Sequence, residues 1–116
     1  MDITKETLAA EVTGEHTLVR FLTTSIRETT DVQKVCKELD EVLKGFSPSL
    51  VVLNFSRVNM VCSSFLGKLI ALAAELKEQK AKVRACCLKE DILHAFKMLR
   101  LTKFIKVYAT EEKALR

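Results

Sequence analysis

The segment from Leu50 to Lys80 constrains the fold most, because it joins two elements of opposite character without a glycine-rich linker. Leu50-Val51-Val52-Leu53 is apolar without alternation, the pattern of a strand buried on both faces of a sheet. After Asn54-Phe55-Ser56-Arg57-Val58-Asn59-Met60-Val61-Cys62 the chain enters Ser63-Ser64-Phe65-Leu66-Gly67. There a helix begins, with Phe65, Leu66, Leu69, Ile70, Leu72, Ala73 and Leu76 as its inward side. A buried strand followed by an amphipathic helix and, at Lys82 to Leu88, another strand is a βαβ unit, which requires a parallel sheet covered by helices. The two serines fall at the strand-to-helix junction. The first amides of a helix lack internal partners and carry the positive end of its dipole, so a serine there can serve as a cap or carry a phosphate.

The flanking sequence extends this pattern. Leu8 to Val12 and Thr17 to Leu22, separated by Gly14-Glu15, predict a hairpin, and Thr23-Thr24-Ser25 a loop. Thr30 and Gln33 have capping-box spacing. Val32, Val35, Cys36, Leu39, Val42 and Leu43 recur at helical intervals, predicting a helix over about Asp31 to Lys44 that ends at Gly45. Ser47-Pro48-Ser49 breaks the chain before the Leu50 strand. A third helix over Glu90 to Arg100, a strand over Ile105 to Tyr108, and a terminal helix over Glu111 to Leu115 capped by Thr110 complete the series. The expected fold is α/β, a single mixed β-sheet of four to five strands with α-helices packed mainly on one face, and residues 1–116 form one domain. Val51, Leu53, Leu66, Leu69, Ile70, Phe96 and Leu99 are the expected core.

Composition restricts the function. A chain of 116 residues, 48% hydrophobic and 29% charged, can bury a core without metals or disulfides. Its net charge of +4 comes from interleaved signs with no basic run, which argues against nucleic acid as a partner. No basic leader followed by an apolar stretch opens the chain, and no apolar run approaches the roughly 20 residues of a membrane span. A cytoplasmic location is expected. Cys36, Cys62, Cys86 and Cys87 have no ligand spacing, and His16 and His94 stand apart from them, so neither zinc nor any other cofactor is expected.

Catalytic patterns fail residue by residue. Gly67-Lys68 lacks the earlier glycine of a phosphate loop, Cys62 standing in its place, and Leu69 replaces the metal-binding hydroxyl. Ser64 is flanked by Cys62 and Leu66 where a nucleophile elbow has glycines. We expect no enzyme.

Several motifs together resemble the STAS domains of anti-sigma factor antagonists and their relatives. They are Asn54-Phe55-Ser56-x-Val58, Cys62-Ser63-Ser64-Phe65-Leu66-Gly67-Lys68-Leu69-Ile70, Met98-Leu99-Arg100-Leu101-Thr102-Lys103-Phe104, and Tyr108-x-Thr110-Glu111-Glu112-x-Ala114-Leu115. The family signature reads Asp-Ser-Ser-Gly-Leu-Gly; here Cys62 replaces the aspartate and Phe65 the glycine. The resemblance implies phosphorylation at Ser63 by an anti-sigma factor serine kinase, reversal by a serine phosphatase, and a partner-binding surface at Cys62, Ser63, Ser64 and Phe65. The alternative it implies is a STAS scaffold or accessory module, assembling with other STAS proteins or using apolar surface near Phe65 and Phe104 for a lipid or small ligand, with no phosphorylation switch.

Overall fold

The computed structural model describes residues 1–116. Strands β1 (Asp2–Thr4), β2 (Leu8–Val12) and β3 (His16–Phe21) form an antiparallel meander. Three parallel strands follow: β5 (Leu50–Asn54), β7 (Lys82–Cys86) and β8 (Lys106–Tyr108). The order across this sheet is β1-β2-β3-β5-β7-β8, so the apolar Leu50 segment is an interior strand, as its lack of alternation predicts. A separate two-stranded ribbon pairs β4 (Ser25–Ile26) with β6 (Met60–Val61) in parallel. The mixed sheet therefore has six strands rather than four or five. Asp2–Thr4 adds an edge strand too short to carry a periodic signal, and the expected loop at Thr23-Thr24-Ser25 gives way to strand at Ser25.

Alternation along the strands assigns the two faces. Val19, Phe21, Val51, Leu53, Val83 and Ala85 share a large core with α1 (Thr29–Lys44), α2 (Ser63–Glu78) and α3 (Glu90–Met98). Phe55, Phe65 and Phe96 join it. Ring centroids separate Phe21 from Phe55 by 4.9 Å, Phe21 from Phe65 by 6.0 Å, and Phe55 from Phe96 by 5.6 Å. Edge-to-face geometry in the last two pairs brings the electron-poor ring edge to the electron-rich face. Leu18, Val52, Cys86 and Ala114 form a small cluster on the opposite face, under α4 (Glu111–Leu115). Burial pushes the Cys86 thiol up to about 12, with the neighbouring Cys87 adding to the effect. All four cysteines are free.

Three local expectations are corrected. The first helix begins at Thr29 with Glu28 as its N-cap residue, and the Glu28 amide donates to Asp31 Oδ2 at 3.1 Å, so the capping pair is Glu28 and Asp31 rather than Thr30 and Gln33. Gly45 does follow the last turn but stays right-handed, with φ of −73°. Leu99 lies outside the core at 42% exposure and Ile70 is only half-buried. Leu99 is displaced because α3 ends at Met98 and Arg100 turns left-handed, φ 60°, into a 3-10 turn at Leu101–Lys103; Leu101 fills the core instead.

Candidate functional site at the start of α2

The start of α2 is placed by the β4·β6 ribbon. Cys62 N–H donates to the Ile26 carbonyl at 3.0 Å, and Asn59 N–H to the Thr24 carbonyl at 2.7 Å. Lys89 Nζ holds the preceding loop through the carbonyls of Ser56, at 2.8 Å, and Val58, at 3.3 Å. Ile26 and Phe65, both fully buried, anchor the ribbon and the first helical turn in the core.

Cys62, with extended backbone and no side-chain capping bond, is the N-cap residue. Ser63 and Ser64 are already inside the helix, so the capping role open to them in the sequence is not taken up. Both are exposed, and neither hydroxyl has a hydrogen-bond partner within the protein. No carbonyl or side chain accepts from the amides of Ser63, Ser64 and Phe65; the first amide of the helical ladder is that of Leu66, bonded to the Cys62 carbonyl at 3.2 Å. The exposed face continues through Gly67, Lys68 and Ala71, all open to solvent. Arg27, at the end of the ribbon, reaches the sulfur of half-exposed Met60 at 3.7 Å. Two hydroxyls, three unpartnered amides and flanking cations make this an electropositive, chemically accessible helix end.

Cys62, Ser63, Ser64 and Phe65 are contiguous in the chain but do not share one surface. Phe65, expected on the partner-binding surface, is fully buried against Phe21 because its position in the first turn faces the sheet. Neither Arg27 nor Met60 was picked out from the sequence. The β-branched and hydroxyl-rich run Thr23-Thr24-Ser25-Ile26 was the available signal for a short strand that would bring them here.

On the opposite face, α4 is clamped to the sheet. Arg20 donates to Glu111 through Nε at 2.7 Å and Nη2 at 2.9 Å, and Asn54 Nδ2 donates to the same carboxylate. Asn54 Oδ1 accepts from Ser56 N–H at 2.7 Å, and Arg84 Nη1 donates to the Ala114 carbonyl at 2.8 Å. The Arg20 guanidinium, opposed by burial and aided by Asn54, holds the Glu111 carboxyl below its ordinary value. The sequence placed Glu111 only at the start of the terminal helix; its contacts with Arg20 and Asn54 come from the fold.

With the geometry in place, the comparisons agree on the architecture. The STAS domain family model matches residues 7–114, and the chain belongs to that family. A STAS-domain anti-sigma-factor antagonist from Planctomyces limnophilus has the same fold at 19% identity, with 93% of each chain covered and a TM-score of 0.81. An anti-sigma factor antagonist from Mycobacterium paratuberculosis, also 19% identical, aligns over 94% of this chain and 90% of its own with a TM-score of 0.81. The phosphorylated form of the Bacillus cell fate determinant SpoIIAA is similar at 20% identity, over 93% of this chain and 96% of its own, with a TM-score of 0.69. Comparison with curated protein sequences gave no match.

Proposed function

We propose that this chain is a non-enzymatic STAS regulator of the anti-sigma factor antagonist type, docking on a serine-kinase partner through the exposed start of α2 and switched by phosphorylation of Ser63. The observation that carries this reading is the pair of exposed, unbonded hydroxyls beside three unpartnered amides. A hydroxyl already committed to capping would have to give up its bond to be modified; these do not. Ser63 is favoured over Ser64 by its place at the junction, where a phosphate can turn back toward the free amides. Phosphate adds roughly 1.5 to 2 negative charges at the docking surface, enough to repel or desolvate a modest interface. The phosphorylated form of the similar SpoIIAA supports the reading by family likeness. The burial of Phe65 supports it too, because no aromatic ring obstructs approach to the serines.

The test is incubation with ATP and an anti-sigma serine kinase followed by peptide mapping. A single phosphopeptide modified at Ser63 is expected, with Ser63→Ala retaining partner binding and Ser63→Asp weakening it. Phosphate on Ser64, or undiminished binding by Ser63→Asp, would sink the switch. A partner that binds with no phosphate transfer at all would favour the scaffold role.

A further inference from the structure

Alternation along β7 sends Val83 and Ala85 into the large core and Arg84 and Cys86 to the opposite face, where Arg84 meets the Ala114 carbonyl and Cys86 sits in the small cluster under α4. Continued alternation would carry Cys87 into the large core. Instead Cys87 turns left-handed, with φ of 62°, and packs against the α4 cluster beside Cys86. A cysteine in that backbone region is uncommon, because glycine alone enters it freely. The turn thus places two consecutive thiols on one face of the sheet. Cys87 N–H donates to the Tyr108 carbonyl at 3.3 Å, and the Cys86 carbonyl accepts from Phe55 N–H at 3.0 Å, so the backbone of the pair is held by both neighbouring segments.

The two thiols differ in access. Cys86 is fully buried, whereas Cys87 is half-buried and open to solvent on one side. Burial first, and then the charge and hydrogen bonding of the adjacent Cys87, keep the Cys86 thiol protonated. Cys36 and Cys62 lie against the large core on the far face, and no three Cys, His, Asp or Glu side chains gather as a metal-binding group. A closed tetrahedral zinc site, which takes four such ligands, does not fit this pair. A direct disulfide fits poorly too: consecutive Cα atoms across a trans peptide lie about 3.8 Å apart, below the roughly 4.4–6.8 Å that disulfides usually span. An atom bridging the sulfurs relaxes that constraint, since each sulfur bonds to it rather than to the other. Such an atom must be soft enough to prefer sulfur and satisfied by two sulfur ligands at a bent angle. Trivalent arsenic carrying one organic substituent is pyramidal with two exchangeable positions, and meets both conditions.

We propose that Cys86 and Cys87 form a vicinal dithiol site for a monosubstituted trivalent arsenical, entered at Cys87 and closed onto Cys86 when α4 lifts. In its hydrated form the arsenical carries two hydroxyls. Two As–O bonds and two S–H bonds break, two As–S bonds form, and the thiol protons leave with the hydroxyls as two waters. Arsenic stays trivalent, so no oxidant is needed. The accessible Cys87 takes the first bond, and Cys86 then meets a tethered arsenic rather than a free one. A protonated Cys86 is no obstacle, because its proton passes to the departing hydroxyl. Leu18, Val52, Leu50 and Leu115 around the pair suit an apolar substituent on arsenic. The cover is α4, five residues held by little apolar contact and by polar bonds from Arg20, Asn54 and Arg84, the kind of element that opens locally without global unfolding. The site lies on the face of the sheet opposite α2, so this proposal stands independently of the kinase-docking reading.

The experiment is titration of the reduced full chain with phenylarsine oxide in excess glutathione, read by intact mass and by the thiols that remain. One arsenical per chain with the loss of two thiols is expected, stable to the monothiol glutathione and reversed by the dithiol dimercaptopropanol. Cys86→Ala and Cys87→Ala should each abolish the glutathione-resistant adduct, whereas Cys36→Ser combined with Cys62→Ser should keep it. A thermal midpoint equal to that of wild type would establish that a variant is folded; half-buried Cys87→Ala supplies the test if Cys86→Ala is not. Glu111→Gln, which loosens one end of α4, should speed adduct formation about fivefold or more. A glutathione-labile adduct, an adduct retained by folded Cys87→Ala, its loss from the folded Cys36 and Cys62 double variant, or a rate unchanged by Glu111→Gln would overturn the proposal. So would loss of the two thiols to a disulfide with no arsenic bound.

Discussion

Thr17 isolates the cost of a single buried hydroxyl. It is fully buried in β3, between β2 and β5, and its Oγ1 has no hydrogen-bond partner. Its backbone fits a strand well, so the residue satisfies strand propensity while burying an oxygen that unfolding would return to water. Leaving such a group unpaired costs about 1–3 kcal/mol, and valine has nearly the same shape without the oxygen. Thr17→Val should therefore leave stability unchanged or raise it by up to about that amount in urea denaturation. A clear loss of stability would mean that the hydroxyl has a partner after all. The same burial acts on Cys86, whose thiol is pushed up to about 12, which leaves little nucleophilic thiolate near neutrality.

At the scale of elements, α2 separates two roles that sequence alone leaves merged. If Ser63 and Ser64 capped the helix, replacing the capping residue with alanine would cost typically about 1 kcal/mol. Because Cys62 occupies the cap and both hydroxyls are unbonded, Ser63→Ala and Ser64→Ala should each change stability by less than about 0.5 kcal/mol. Leu69→Ala, one turn further and 1% exposed, should cost about 2–5 kcal/mol through lost burial and the cavity left behind. A serine variant that destabilised the protein as Leu69→Ala does would contradict this division. The helix itself was legible, since Phe65, Leu66, Leu69, Ala73 and Leu76 recur at its period and all are buried. So was the interior β5. The β4·β6 ribbon was not, because two residues on each strand give no periodicity and the pairing joins segments 35 positions apart at Ser25 and Met60. Phe65 was read in two ways: its helical phase placed it on the inward side of α2, where it is buried, while the resemblance put it on the partner-binding surface. For the serines, the sequence located the helix end but could not distinguish a bonded hydroxyl from a free one.

Across the whole molecule, the sheet is asymmetric: α1, α2 and α3 seal one face with a large core, while on the other the short α4 covers a cluster of four buried residues. Apolar contact under a five-residue helix is small, so polar bonds at its ends contribute much of its attachment. Arg20 and Asn54 hold Glu111 at one end and Arg84 holds the Ala114 carbonyl at the other, connecting the hairpin, the central strand and the C-terminus. The Glu111 carboxyl is held below its ordinary value of 4.5, first by the Arg20 hydrogen bond. A depressed carboxyl contributes stability that is fully present above its unfolded value and is lost as pH falls through the folded one. Wild type should thus lose the Glu111 contribution only below about pH 4.5, whereas Glu111→Gln lacks it already at neutrality. Glu111→Gln should destabilise the protein by about 1–2 kcal/mol near pH 7, and urea denaturation should show its gap from wild type closing as pH falls below about 4.5. A gap that stayed constant across that range would mean that the charge on Glu111 does not contribute to holding α4.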